Sequence, residues 1–346
     1  MLEKIGLSPG STIYTGDIEK ENPLISITTF DLQNVDSKNY ESIEETLRAY
    51  SNISKDTKAW IHIEPISDEE KIAKLCSLFN LHSLVAEDIL SVNHRPKVDE
   101  YDDYIFVVVK YAVFENHVLN FYQISFVLKG NQVICFADKS PDRFSIIQKR
   151  LEKLESRGRK SGSQYLLFAL IDLIVDDYFL VLEEISEEIE DLEDEIIYSP
   201  TKRSIEHVHL LKRNLTNLKK SIWPMREVIN TLMRSDSIED QYRMFYKDLY
   251  DHIIDIIDII EGYRDSVSGF LDIYLSTLSN RMNEIMKTLS IIATIFIPLS
   301  FLTGYFGMNF KAQTILESAS AYHWTNLSMI AIPLALLGYF KLRKWF

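Results

Sequence analysis

Residues 288–306 carry no charged side chain, and the uncharged run continues through Gly307-Met308-Asn309. At ~1.5 Å per residue, a helix over those nineteen positions is roughly 28 Å long, about one bilayer core. A second uncharged run, residues 324–340, follows a short loop. The chain therefore reads as a soluble body of nearly three hundred residues attached to a C-terminal membrane hairpin. Average composition hides this, because 46% hydrophobic and 25% charged residues describe an ordinary soluble protein.

The formal net charge of −14 argues against a nucleic-acid partner, which needs a basic face to neutralise phosphates, and is compatible with attracting cations. Cys76 and Cys135 stand far apart in apolar surroundings, which predicts two buried thiols in a reducing compartment rather than a zinc site. The opening Met1-Leu2-Glu3-Lys4 lacks the apolar core of a signal peptide, so the body is expected not to be exported.

Residues 1–160 read as an α+β domain with a mainly antiparallel or mixed sheet. Strand candidates are residues 24–29, 59–63, 104–114, 121–128 and 132–136, rich in β-branched and aromatic side chains. Lys129-Gly130-Asn131 reads as a hairpin turn. Helical segments are expected over 40–50, 68–79 and 83–91, with Ser67 and Glu70 as a capping box for the second. A polar patch at 157–162 marks the next boundary.

Beyond it, residues 163–234 read as a helical hairpin. Between Asp172 and Glu195 lie twelve acids and no Lys or Arg, with Leu180, Ile185, Ile189 and Leu192 as the apolar stripe. After Ser199-Pro200 come Lys202, Arg203, Lys212, Arg213, Lys219, Lys220, Arg226 and Arg234 against two acids. Two antiparallel helices of compensating charge are the expectation; two solvated faces are the simpler alternative.

From residue 241 only Gly262 and Gly269 weaken the helix before Pro298. A helix running to 306 would be 66 residues and on the order of 100 Å long, a stalk that must pack against copies of itself. Its first membrane span is placed at about 288–306, the loop at 307–325, and the second span with a basic tail at 326–346. Heptad steps give Asp272, Ser279, Met286, Ala293 and Ser300, interleaved with Leu275, Asn283, Leu289 and Ile297. This seam fits a water-accessible axis; a coiled coil with a few register-setting polar positions fits the same periodicity. Pro298 removes a backbone donor and frees the Thr294 carbonyl, which predicts a kink. Lys341, Arg343 and Lys344 on one side, with Arg281 and Lys287 before the first span, put both termini in the cytoplasm by charge bias. The loop has only Lys311, Glu317 and His323, and Trp324 and Trp345 take interfacial places.

Tyr305-Phe306-Gly307-Met308-Asn309, at the outer end of the first of two C-terminal spans, resembles the hallmark of the CorA family of divalent-cation transporters. Val85-Ala86-Glu87-Asp88-Ile89, His94-Arg95-Pro96-Lys97, Leu211-Lys212-Arg213-Asn214-Leu215, Ile222-Trp223-Pro224-Met225-Arg226-Glu227 and Tyr250-Asp251-His252 are similar to its other signatures, as are residues 291–299. The resemblance covers essentially the whole chain. It implies a funnel-shaped homopentamer in the inner (plasma) membrane, in contact with lipid. The long helices would line one pore and carry Mg²⁺, and often Co²⁺ or Ni²⁺, down its gradient without enzymatic activity. It implies Gly307, Met308 and Asn309 as the filter, and Asp88 with Asp248, assisted by Glu87 and Asp172, as a regulatory Mg²⁺ site between neighbouring subunits.

The chemistry is consistent with that assignment. Mg²⁺ gives up water reluctantly, so neutral amide and carbonyl oxygens suit its passage better than carboxylates that would hold it. Ser300 would form a hydroxyl ring; Ile297, Ala293, Leu289 and Met286 an apolar throat; Asn283 and Asp272 the inner mouth. The loop after Asn309 departs from the family pattern, lacking Met-Pro-Glu-Leu and bearing Lys311. Rival readings are a zinc-transporting member of the same superfamily, disfavoured by a seam whose only soft ligand is the Met286 thioether, and a non-conducting membrane-anchored scaffold. No nucleophile–base pair or phosphate-binding loop points to an enzyme.

Overall fold

The computed structural model describes residues 10–54, 56–154, 156–308, 319–343 and 345. Its elements in chain order are β1 (Leu24–Phe30), β2 (Val35–Tyr40), α1 (Ile43–Ser51), β3 (Lys58–Glu64), α2 (Glu69–Leu78), α3 (Ser83–Leu90) and β4 (Lys97–Glu100). There follow β5 (Ile105–Glu115), β6 (Val118–Lys129), β7 (Gln132–Ala137), α4 (Phe144–Glu152), α5 (Arg157–Tyr198), α6 (Lys202–Ile222), α7 (Met225–Arg234), α8 (Asp240–Phe306) and α9 (Ala319–Leu342).

The chain divides into two compact units. One comprises Met1–Asp194 with Lys202–Gly269; the other comprises Glu195–Thr201 with Phe270–Phe346. The first holds one seven-stranded mixed sheet, ordered β2-β1-β3-β7-β6-β5-β4. Only β3 and β7 pair in parallel, with Ala59 opposite Gln132, and a parallel pair requires a long crossover. The β1–β2 hairpin and the β4–β7 meander are antiparallel blocks joined at that seam.

Period-two alternation puts Ile25, Ile27, Ile61, Ile63, Phe106 and Val108 on one face, packed with Ile72, Leu75, Val85 and Ile89 from α2 and α3. The opposite face is covered as well, so β5 is buried from Ile105 through Lys110, the first five residues being a continuous apolar run. On that face Tyr178 of α5 is fully buried, and its hydroxyl contacts the Lys110 carbonyl and Ser221 Oγ of α6, each at 2.9 Å. Cys76 and Cys135 are free buried thiols, and burial pushes Cys76 up to about 12.

Several local expectations change. The cap of α2 is Asp68, whose Oδ1 accepts from the Lys71 amide, while Ser67 Oγ accepts from the Glu21 amide instead. The expected hairpin turn between β6 and β7 is shortened to Gly130, at φ +55, and Asn131, because Lys129 ends β6 opposite Gln132. The β5–β6 turn was invisible as such because it uses Asn116 and His117, both left-handed, and no glycine. Strands β2 and β4 are short, polar edge strands, and periodicity gave no sign of them. In α5 the buried stripe is Tyr178, Leu182, Ile185, Ile189 and Leu192, whereas Leu180 is exposed. The five-residue step from Leu180 to Ile185 turns ~140° off the stripe; steps of three and four stay on it.

Pro224 separates α6 from α7, and Trp223 beside it is stacked by the Arg226 guanidinium at 4.6 Å and the Lys219 ammonium at 5.2 Å. Lys219 also pairs with Glu261 of α8. Helix α8 spans 67 residues and continues through Pro298 without a break. Helix α9 starts at Ala319, ahead of the second span's expected start at 326.

Replacing Tyr178 with Phe should lower stability by about 1–2 kcal/mol, the cost of removing a buried hydroxyl that bridges helix and sheet. Thermal unfolding of the full chain in detergent measures it; an unchanged midpoint would mean that this bridge does not anchor α5.

Candidate functional site

The C-terminal unit has the unusual surface. Two of its helical segments, within α8 and at residues 323–342, are long and apolar enough to cross a membrane, and in the apolar end of α8 Ile291 alone is buried. From Leu275 to Met308 the predicted seam is turned outward. Asp272, Leu275, Ser279, Asn283, Met286, Leu289, Ile297, Ser300, Gly307 and Met308 are all exposed, and Ala293 is half-buried. A second stripe, Ile291, Ile295, Pro298, Leu302 and Phe306, is the less exposed one. It lies two positions on from Leu289, Ala293 and Ser300, a rotation of roughly 200°. The helix thus has a screened face and, on the opposite side, a face of alternating small, polar and apolar residues that the described residues leave mostly exposed.

At the end of α8, the Gly307 amide donates to the Thr303 carbonyl at 2.9 Å. A Cβ at Gly307 would come within 3.0 Å of that same oxygen, so the position tolerates glycine best. Met308 is exposed. Asn309, Lys311 and Glu317 lie outside the described residues.

In the sheet-bearing unit, two groups of predicted metal-site residues stand in different surroundings. Asp88 sits on α3, where its carboxylate meets His94 Nε2 at 3.0 Å and Lys97 Nζ at 2.7 Å. Burial pushes its carboxyl up, but the hydrogen bonds from His94 and Lys97 more than offset this and hold it below the usual range. Glu87 accepts a hydrogen bond from the Gly10 amide at 2.7 Å. Among the described residues no hydrogen bond or ion pair joins Asp88 to Asp172 or Asp248.

Asp172 belongs to a tighter cluster. With Asp176, one turn on in α5, and His252 of α8 it forms a group whose ligand atoms all lie within 4.8 Å of one another. Burial, with Asp176 and Asp248 adding to it and His252 and Arg150 opposing it, pushes the Asp172 carboxyl up to about 6. His252 Nδ1 is buried without a hydrogen-bond partner, and exposed Asp248 stands one helical turn before it. Two carboxylates and an orphaned imidazole nitrogen make a set that a divalent cation would satisfy. Asp176 and His252 were missed as site residues, though each is four residues from one that was chosen. The i, i+4 spacing was the available signal.

A large sheet-bearing body continuing into two candidate C-terminal spans, with carboxylate–imidazole clusters on the body, defines a class of membrane protein. Residues 55–344 match the family model described as CorA-like Mg2+ transporter protein, and the chain belongs to that family. It is 39% identical to the cobalt/magnesium transport protein CorA of Thermotoga maritima, over 99% of this chain and 97% of the relative. It is 22% identical to the zinc transport protein ZntB of Yersinia pseudotuberculosis, over 83% of this chain and 87% of that one. The solved CorA magnesium transporter of Methanocaldococcus jannaschii shares the fold with a TM-score of 0.72 at 22% identity, covering 95% of this chain and 100% of that one.

Asp172 has a folded-state value above its ordinary one, so the folded chain holds that proton more tightly than the unfolded chain. Stability should fall as pH rises from about 4 through about 6 and stay lower above. In the metal-free protein, Asp172→Asn should therefore raise stability at about pH 8, by on the order of 2 kcal/mol given the site's partial solvent access, and change nothing near about pH 4. Thermal unfolding of parent and variant in chelator across that range gives the result; a pH-independent difference would contradict the assignment.

Proposed function

We propose that the chain assembles as a homopentamer that conducts Mg²⁺, with Co²⁺ or Ni²⁺ as further cargo, passively across the inner membrane with both termini cytoplasmic. The observation that carries this reading is the outward seam of α8. A membrane helix that leaves Ser300, Asn283 and Asp272 on the same exposed line as Ile297, Leu289 and Met286 needs a second surface that is neither lipid nor its own chain. Copies arranged around an axis supply one, and the polar members of the line then face water.

In this arrangement Gly307, Met308 and Asn309 form the filter. Neutral oxygens accept hydrogen bonds from the water shell that Mg²⁺ retains, so the ion enters without being held by charge. The close approach at Gly307 keeps side-chain bulk out of that position. Below it Ser300 offers hydroxyls, and Ile297, Ala293, Leu289 and Met286 form a throat whose wetting sets conduction. Asn283, Ser279 and Asp272 receive the ion on the inner side.

The body senses the ion. Asp172, Asp176 and His252, with Asp248 beside them, would hold a cation on one subunit's surface, and Asp88 with Glu87 would meet it from a neighbour. A bound Mg²⁺ offsets the burial that lifts the Asp172 carboxyl and the added repulsion from Asp176 and Asp248, and its loss restores that repulsion and loosens the ring. At Asp88 the cation competes with the Lys97 ammonium at 2.7 Å, which sets a threshold for closure.

Uptake into proteoliposomes tests both parts. The parent should take up Mg²⁺ and Co²⁺ faster than Zn²⁺, and Asn309→Ala should lose most Mg²⁺ flux; unchanged flux would sink the filter assignment. Asp248→Ala should keep basal flux and raise the internal Mg²⁺ needed for half-inhibition by about tenfold, the scale of one lost charge-assisted contact. Normal inhibition in that variant would remove Asp248 from the sensor.

A further inference from the structure

A second ligand cluster lies elsewhere on the body, and none of its members was singled out by the sequence. His117 comes from the β5–β6 turn, Glu188 from α5 and His207 from α6, and their ligand atoms all fall within 4.8 Å of one another. Both imidazoles aim at one atom: His117 Nδ1 and His207 Nε2 each contact Glu188 Oε1, the latter at 2.5 Å. The rings stand nearly perpendicular, at 85° with centroids 5.2 Å apart, so that two nitrogens converge without stacking.

Two features distinguish the cluster from a chance meeting of surface groups. Glu188 is 7% exposed, and its second oxygen, Oε2, is buried with no hydrogen-bond partner. A carboxylate so placed has an unspent acceptor beside the oxygen that both imidazoles share, and an unmet buried acceptor is costly. The turn that presents His117 is also held in place. Its carbonyl accepts from Asn214 Nδ2 at 2.9 Å, Asn214 is itself 4% exposed, and His117 keeps a left-handed φ of +65°. The ring of His117 is 64% exposed, which leaves an open approach from solvent.

We propose that His117, Glu188 and His207 form a binding site for a borderline transition-metal dication, Zn²⁺, Co²⁺ or Ni²⁺, separate from the Asp172 cluster. Two neutral imidazoles and one carboxylate, with water completing the shell, is a donor set that suits those ions. Mg²⁺, which favours an all-oxygen shell and keeps its water, is poorly matched to it. A metal there would take both Glu188 oxygens into account and tie a hairpin tip to two helices that meet nowhere near it in sequence. The site would let the body distinguish a transition metal from Mg²⁺ by ligand chemistry.

Equilibrium dialysis of the full-length protein in detergent against Zn²⁺, with excess Mg²⁺ to fill oxygen sites, measures it directly. The parent should retain one more tightly held Zn²⁺ per chain than His207→Gln or Glu188→Gln. Co²⁺ in place of Zn²⁺ should give a visible ligand-field band that those variants lose. Because Glu188 is buried, His117→Asn provides the surface control: Asn tolerates the left-handed turn, and the variant should weaken Zn²⁺ binding more than about tenfold, the lower end for losing even a ligand's supporting partner. Binding should persist in Asn309→Ala, since it does not depend on the pore. Equal Zn²⁺ retention by the parent and His117→Asn, or no retention by the parent, would overturn the proposal.

Discussion

The constraint on which the rest depends is that α8 cannot satisfy its own surface. Along its C-terminal half Ile285, Leu289, Phe296, Ile297, Phe301 and Tyr305 are each at least half exposed. Lipid can cover apolar side chains, but it offers nothing to Ser300 or Asn283 among them. The single chain therefore specifies an incomplete object. Among the described residues, those assigned to conduction are exposed, apart from the half-buried Ala293, and that common feature is what makes the seam a candidate path.

The body shows the opposite economy. Its sheet is covered on both faces, and α2 and α3 lie on one side, where α3 carries Asp88 and Glu87. Helix α5 lies on the other side and carries both the Asp172 group and Glu188. Cation chemistry is thus distributed over elements whose backbone is fixed by a well-packed core. Asp88 meets His94 and Lys97 of its own chain, which hold its carboxyl down, whereas burial, with Asp176 and Asp248 adding to it, holds the Asp172 carboxyl up. Charge that is balanced within a chain stabilises that chain, and charge left unbalanced is available to an ion or to another subunit.

Much of this was legible in the sequence because it depends on local pattern. An uncharged run long enough to span a bilayer, a 3.5-residue seam, and strands of alternating burial are all properties of neighbouring residues. The family signatures added residue roles that periodicity could not. What remained hidden was whatever tertiary contact decides. The left-handed Asn116-His117 turn has no glycine to mark it, and the polar edge strands β2 and β4 have no apolar alternation. Leu180 was misassigned because two apolar residues five apart look like a stripe on paper and lie on different faces of a helix. The His117–Glu188–His207 group joins residues 71 and 19 positions apart, and no motif of fixed spacing could have announced it.

The central claim is that one face of α8 borders a water-filled cation path and the opposite face does not. Single cysteines at Asn283, Ala293 and Ser300 on the first face, and at Ile291, Ile295 and Leu302 on the second, separate the two. The native Cys76 and Cys135 are buried and do not interfere. A small water-soluble thiol reagent should block Mg²⁺ uptake through the first three variants and leave the second three unaffected. Equal block of both sets, or none in either, would contradict the account.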